Sequence, residues 1–339
     1  VTSLAEQVTA LARAAPMPAV AVCVFDRQGV LARAVHGVAD LSVGRPAAAD
    51  EWWDLASLTK TLVTLPEVLS LVADGRLALE QPLAECWHRA VGRPVGGATV
   101  ADLLSHRSGL PAAVPFFRTL TGRAAVVDAA LRTELADQPG VVYSDLGFLL
   151  LGAMVEDLAD ESLTVLARRR TGLHMGRAPG RAAATEHCPW RRRLIVGEVH
   201  DENAWTMGGV AGHAGAFGTL QLVSSAARSW LAGQAVSPDL HAAARSCWAA
   251  GRDTERFGLG WWLTPTRGLG GPVAGADGYG CSGFVGNRVW LEPSRGYGVV
   301  ILSNRVHPRR DARAPFAAWC DRLLAMLATE VWSQGDSNP

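Results

Sequence analysis

The chain has 339 residues, 49% of them apolar, with 32 basic and 32 acidic side chains and a formal net charge of zero. That length suits one large domain or two intertwined subdomains, and the apolar content can fill a sizeable core. The neutral balance argues against a broad basic field for nucleic acid or anionic membrane, and no apolar run reaches the roughly 18 residues of a membrane span.

Residues 2–15 pattern as a short amphipathic helix. Residues 19–26 (AVAVCVFD) and 30–38 (VLARAVHGV) read as two strands joined through Arg27-Gln28-Gly29, a hairpin. Next comes Ser57-Leu58-Thr59-Lys60, and Lys60 is the single lysine among the 32 basic residues. Everywhere else the chain uses arginine, which stays protonated, whereas a lysine can be driven to its neutral form. Ser-x-x-Lys is a short pattern, but residues 58–74 also pattern as a helix, closed by Asp74-Gly75 and kinked at Pro66. On a helix Ser57 and Lys60 share a face, which pairs a hydroxyl nucleophile with a proton acceptor.

Further helices are expected at 99–105, 123–136, 145–159 and 218–232. Tyr143, one of three tyrosines, stands just before the third of these, in Tyr143-Ser144-Asp145. Against an ammonium, a phenol can lose its proton and relay one from serine. The stretch 171–216 lacks periodicity and is too long for a simple connection, so a functional or binding loop is expected there. Strands return at 284–292 and 297–303 around Pro293-Ser294-Arg295-Gly296, followed by a helix at 313–332 and a frayed tail from 334.

The expected fold is α/β (α+β): one antiparallel sheet from N- and C-terminal strands, flanked by helices, with an inserted helical subdomain. The sheet subdomain would take residues 1–56 and 255–339, and the helical one 57–254, as one intertwined catalytic unit. Arg168–Arg170 and Arg191–Arg193 read as solvated faces or helix ends. Six scattered cysteines without a C-x-x-C pair suggest neither a zinc ribbon nor a disulfide framework. Glu198, His200, Asp201 and His213 are possible metal donors, but they lack the two-histidine helical spacing of a zinc protease, and loop hydrogen bonding or substrate contact is the plainer expectation. Gly278-x-Gly280-x-x-Gly283 precedes a strand rather than a helix, so it is not a dinucleotide site. No G-x-S-x-G elbow occurs. The pairs Trp52-Trp53 and Trp261-Trp262 suit core packing, or an apolar pocket near Ser57. The first residue is Val1, so an upstream segment is neither shown nor excluded, and periplasmic and cytoplasmic settings both stay open.

Taken together, Ser57-Leu58-Thr59-Lys60, Tyr143-Ser144-Asp145 and Cys281-Ser282-Gly283 resemble the three motifs of the class C β-lactamases, penicillin-binding D,D-peptidases and related esterases. Leu103 to Pro111, the glycine-rich Gly208 to Gly215 and Val299 to Arg305 fit the same order, and the resemblance spans about residues 15–330. It implies that Ser57 is acylated, that Lys60 and Tyr143 shuttle its proton, and that the backbone N–H groups of Ser57 and Phe284 form an oxyanion hole. Asp145, Cys281, Ser282 and Gly283 would contact substrate. The usual asparagine of the second motif is here Asp145, and the usual lysine or histidine of the third is Cys281, so weak or no β-lactamase activity is expected. The implied function is a serine hydrolase acting on an ester or amide of a small-molecule or peptide substrate (esterase, D,D-peptidase or cell-wall amidase), with no cofactor and no metal. The alternatives are an acyltransferase using the same site, or an impaired homologue that binds a peptidoglycan-like or peptide ligand. Oligomeric state stays open.

Overall fold

The computed structural model describes residues 2–137, 140–251, 255–266, 268–310 and 314–331. Its frame is a nine-stranded antiparallel sheet. From one edge the order is Arg45–Pro46, Val30–Asp40, Ala19–Asp26, Tyr297–Ser303, Asn287–Glu292, Tyr279–Gly283, Trp262–Leu263, Arg256–Phe257 and Ala249–Ala250. The first strand of the chain therefore lies beside the last, with Val22 opposite Ile301 on one side and Ala34 on the other.

Strand Ala19–Asp26 is apolar at nearly every position because both of its faces are covered. Val20, Val22 and Val24 pack under the terminal helices Leu4–Arg13 and Ala314–Glu330, where Trp319 Nε1 donates to Leu11 O at 2.9 Å. Ala21, Cys23 and Phe25 face the larger core shared with the helical layer. Helix Leu4–Arg13 starts with a reciprocal cap between Ser3 and Glu6.

The hairpin strands, the closing strand Tyr297–Ser303 and helix Asp145–Ala159 fall where the pattern places them. Other segments differ for identifiable reasons. Residues 60–73 do not form one kinked α-helix. A π-type turn, Lys60–Thr64, comes first, with Leu65 N–H donating to Lys60 O, and Pro66 sits in the first turn of the α-helix Leu65–Ala73, where its missing N–H costs little. Strand Tyr279–Gly283 is glycine-rich and is not among the expected strands. Its glycines answer to close packing instead: a Cβ on Gly280 would lie 2.2 Å from Val289 O, and one on Gly283 would lie 2.6 Å from Leu55 O. The expected strand 284–292 is a turn followed by Asn287–Glu292. Helix Leu163–Thr171 is an additional element, capped by Ser162. The stretch 171–216 contains the hairpin Ala184–Cys188/Arg193–Val196 and the short helix Glu202–Thr206. The end of the expected helix at 332 and the tail from 334 lie outside the described residues. Among those residues, no helix is long and apolar enough to cross a membrane.

Candidate active site

The site starts from a short strand, Trp53–Asp54, that pairs with Ala216–Gly218. The buried Asp54 carboxylate accepts two backbone N–H groups, from Ala56 and His200, both at 2.7 Å. Burial pushes its carboxyl above the ordinary value, and these donors and the His200 charge only partly offset that. Ala56 takes a left-handed φ of +46°, unusual for a residue with a side chain. The resulting sharp turn leaves Ser57 half-buried at a cavity mouth and aims the π-type turn beneath it.

Lys60 is 1% exposed. Its Nζ donates to Ser57 Oγ at 2.9 Å, to Asp145 Oδ1 at 2.7 Å and to His213 O at 3.2 Å, so each ammonium hydrogen has an acceptor. Burial alone would depress this lysine, but the Asp145 charge and then Tyr143 outweigh it and hold Lys60 above its ordinary value. The His213 carbonyl comes from the glycine-rich turn, and Thr64 Oγ1 donates to Gly212 O at 2.7 Å to fix that turn. Gly212 allows the approach: a Cβ there would lie 2.1 Å from Phe148 O.

Tyr143 lies beside Lys60, its ring centroid 5.0 Å from Lys60 Nζ. Burial raises its phenol, with Lys60 and hydrogen bonding to Ser57 and Lys60 acting in the opposite direction. Its ring stacks on Trp262 at 5.5 Å and leans on His106 at 4.5 Å. His106, at a left-handed φ of +63°, accepts from Ser144 N–H through Nδ1 at 3.1 Å. Burial, with the Lys60 charge adding to it, lowers this imidazole to about 3, so it is neutral and its proton resides on Nε2. His106 thus sets both the tyrosine ring and its backbone. The sequence marked only its loop.

On strand Tyr279–Gly283, alternation exposes Ser282 to the cavity and turns Cys281 and Gly283 inward. Cys281, expected among the substrate-binding residues, is 4% exposed, lies 2.9 Å from Thr61 Oγ1, and is pushed by burial up to about 12. It packs between strand and helix instead of facing the cavity. Gly283 backs onto Leu55, and Phe284 follows at the cavity edge.

The cavity holds about 430 Å³. Ser57, Tyr143, Asp145, Trp262 and Ser282 line it, and His200, Asp201, Glu202 and Arg310 form a wall against which Phe284 packs, stacked on His200 at 5.6 Å and under the Arg310 guanidinium at 5.6 Å. That wall is locked by an ion cluster. Arg310 Nε donates to Glu186 Oε2 at 2.8 Å and its Nη2 to Glu202 Oε1 at 2.8 Å, while His200 Nε2 lies 3.2 Å from Glu186. Burial of Glu186 works against its ionisation, yet hydrogen bonds from Arg310 and His200 bring it down to about 2. Glu186 and Arg310 escape a sequence reading because they are 124 residues apart and arginine is common in this chain. The four possible metal donors have other partners: Glu198 bonds Arg193 and Trp205, His200 Nε2 lies beside Glu186, and His213 Nε2 lies 3.1 Å from Asp201 Oδ1. Glu186, Cys188 and Glu202 do converge, but the Arg310 guanidinium already balances both carboxylates.

A family model described as Beta-lactamase matches residues 4–320. The chain belongs to the beta-lactamase family and is a serine hydrolase by class. It is 27% identical to the N-acetylmuramyl-L-alanine amidase of Bacillus subtilis (strain 168), covering 87% of this chain and 78% of that protein. It is 29% identical to a putative D-alanyl-D-alanine carboxypeptidase of Escherichia coli (strain K12), covering 75% and 69%. Among solved structures, a mutant simvastatin synthase from Aspergillus terreus superposes with a TM-score of 0.75 at 15% identity, covering 97% of this chain and 94% of the other, a likeness of fold.

Proposed function

We propose that this protein cleaves an amide or ester of cell-wall type through an acyl-serine on Ser57. The observation that carries this is the contact of one buried ammonium with Ser57 Oγ and Asp145 Oδ1 together, beneath Tyr143. At rest Asp145 keeps Lys60 charged and burial keeps Tyr143 protonated, so neither is yet a base. A proton shift from Lys60 to Asp145 leaves a neutral amine beside Ser57. As Ser57 Oγ bonds to the substrate carbonyl carbon, its proton passes to Lys60. Tyr143 then protonates the leaving group, and the resulting phenolate is held by the Lys60 ammonium. In the second half Tyr143 takes a proton from water, the hydroxide attacks the acyl carbon, Lys60 returns a proton to Ser57, and Asp145 returns one to Lys60. The N–H groups of Ser57 and Phe284 are the assigned oxyanion donors, a contribution of about 3–4 kcal/mol for such a donor.

The names of the amidase and carboxypeptidase relatives favour a cell-wall amide as substrate. Buried Cys281 offers no cation to a β-lactam carboxylate, which supports weak β-lactam hydrolysis at most. The test is intact mass after a fluorophosphonate probe, on wild type and Ser57→Ala. One adduct on the wild type and none on the variant supports Ser57 as nucleophile, whereas no adduct on folded wild type sinks it.

A further inference from the structure

The non-periodic stretch carries more than the cavity wall. Helix Glu202–Thr206 lends Glu202 to the cavity at its start, and near its end presents Trp205 to solvent at 38% exposure. Trp190, in the turn of the neighbouring hairpin, is 40% exposed. The two indoles meet at 5.4 Å with planes at 87°, and Phe117 flanks Trp190 at 4.9 Å. Trp205 is held in place. Trp205 Nε1 donates to Glu198 Oε2 at 2.9 Å, and the Arg191 guanidinium lies 5.5 Å over the Trp205 ring. Arg191 itself is tied to the carbonyls of Val199 and His200, the latter a cavity residue.

Indoles left in water forgo a large burial gain, so an exposed pair in ring contact, one of them held by a hydrogen bond and a guanidinium, offers a preformed face to a ligand. The corner has apolar ring faces and a rim carrying Glu198 and Arg191. A pyranose matches it: its axial C–H face stacks on an indole, while its equatorial hydroxyls reach a carboxylate and a guanidinium. An alkyl chain would need a closed groove instead.

We propose that Trp190, Trp205 and Phe117 form a sugar-binding platform on the same segment that walls the Ser57 cavity. It seats the pyranose ring of a glycan that carries the scissile amide or ester. The position of the scissile bond rests on the proposed role of Ser57, whereas sugar binding itself does not.

The test titrates Ser57→Ala protein, which prevents turnover, by calorimetry with muramyl dipeptide and with the same dipeptide lacking its sugar. The sugar-bearing ligand is expected to bind about tenfold tighter or better, and Trp190→Ala or Trp205→Ala in that background removes most of the difference. Trp190→Phe, which keeps a ring, restores part of it, and circular dichroism and melting temperature identify any variant that fails to fold. Equal affinities, no binding of the sugar-bearing ligand at millimolar concentration, or an unchanged ratio in both alanine variants overturns the platform. So does a change in sedimentation on Trp190→Ala, which assigns the face to protein contact. Fluorophosphonate labelling of the wild type separates the two proposals: labelling without sugar preference removes the platform alone, and sugar preference without labelling removes the nucleophile alone.

Discussion

Lys60 concentrates the residue-level chemistry, because its neighbours decide whether it can move a proton at all. Lys60→Arg keeps the charge but removes the ability to give it up, so fluorophosphonate labelling of Ser57 should slow by about 10²–10⁴-fold. A rate within a few-fold of wild type would exclude Lys60 from proton transfer. Asp145→Asn removes the larger of the two groups that raise Lys60 and leaves burial opposed by Tyr143 alone. The neutral fraction then grows with pH, so a labelling rate that is flat between about pH 6 and 9 in the wild type should rise with pH in the variant. Two flat profiles would mean that Asp145 takes no proton. The stability sign follows from the same pair. The folded Lys60 value lies above the unfolded one, so the pairing stabilises fully at neutral pH and is lost as pH climbs through the folded value. Lys60 and Tyr143 were legible because they are rare and Ser57 because it stands three residues before Lys60, whereas Asp145 was legible only as a motif position of the family resemblance. Cys281 was legible as a motif position but not in its direction, because facing depends on strand register. Arg310 and Glu186 carried no local signal.

At the level of elements, close backbone approach does what side-chain patterns cannot reveal. Helix Asp145–Ala159 meets the glycine-rich turn at Gly152 and Gly212, where a Cβ on Gly152 would lie 2.5 Å from Gly212 Cα. Gly212→Ala should cost about 1–3 kcal/mol in chemical denaturation and slow labelling as well, because the same turn supplies the His213 carbonyl to Lys60. Loss of stability with full labelling would separate the turn from the proposed chemistry. Helix 145–159 was legible from its dense apolar run and from Ser144, which accepts the Gly147 N–H at its start. The π-type turn was not, since any pattern that suits an α-helix also suits one widened turn. Strand Tyr279–Gly283 was hidden because its glycines serve tertiary contact, which local propensity does not encode.

The whole molecule is closed by its two ends. Ala19–Asp26 is paired along its length with Tyr297–Ser303, and Asn287 ties the sheet to the turn before Ser57 by donating to Asp54 O at 2.7 Å and accepting from Ser303 N–H at 3.1 Å. A fragment of residues 1–250 lacks five of the nine strands, the central Tyr279–Gly283, Asn287–Glu292 and Tyr297–Ser303 among them, and should show no cooperative melting transition by calorimetry. A sharp transition would mean that the helical layer folds alone. The overall architecture was legible because both ends read as strands and the middle as helices, an order that only a sheet built from both ends satisfies simply. The single lysine has a consequence outside the proposed reaction. Apart from the α-amino terminus, this chain offers acylating dyes, cross-linkers and lysine-directed modification one target, and that target is sealed in the interior. Reagents that label most proteins all over their surfaces would leave the side chains of this one almost untouched while it is folded, so an amine-reactive tag found on Lys60 itself counts molecules whose Ser57 region has opened.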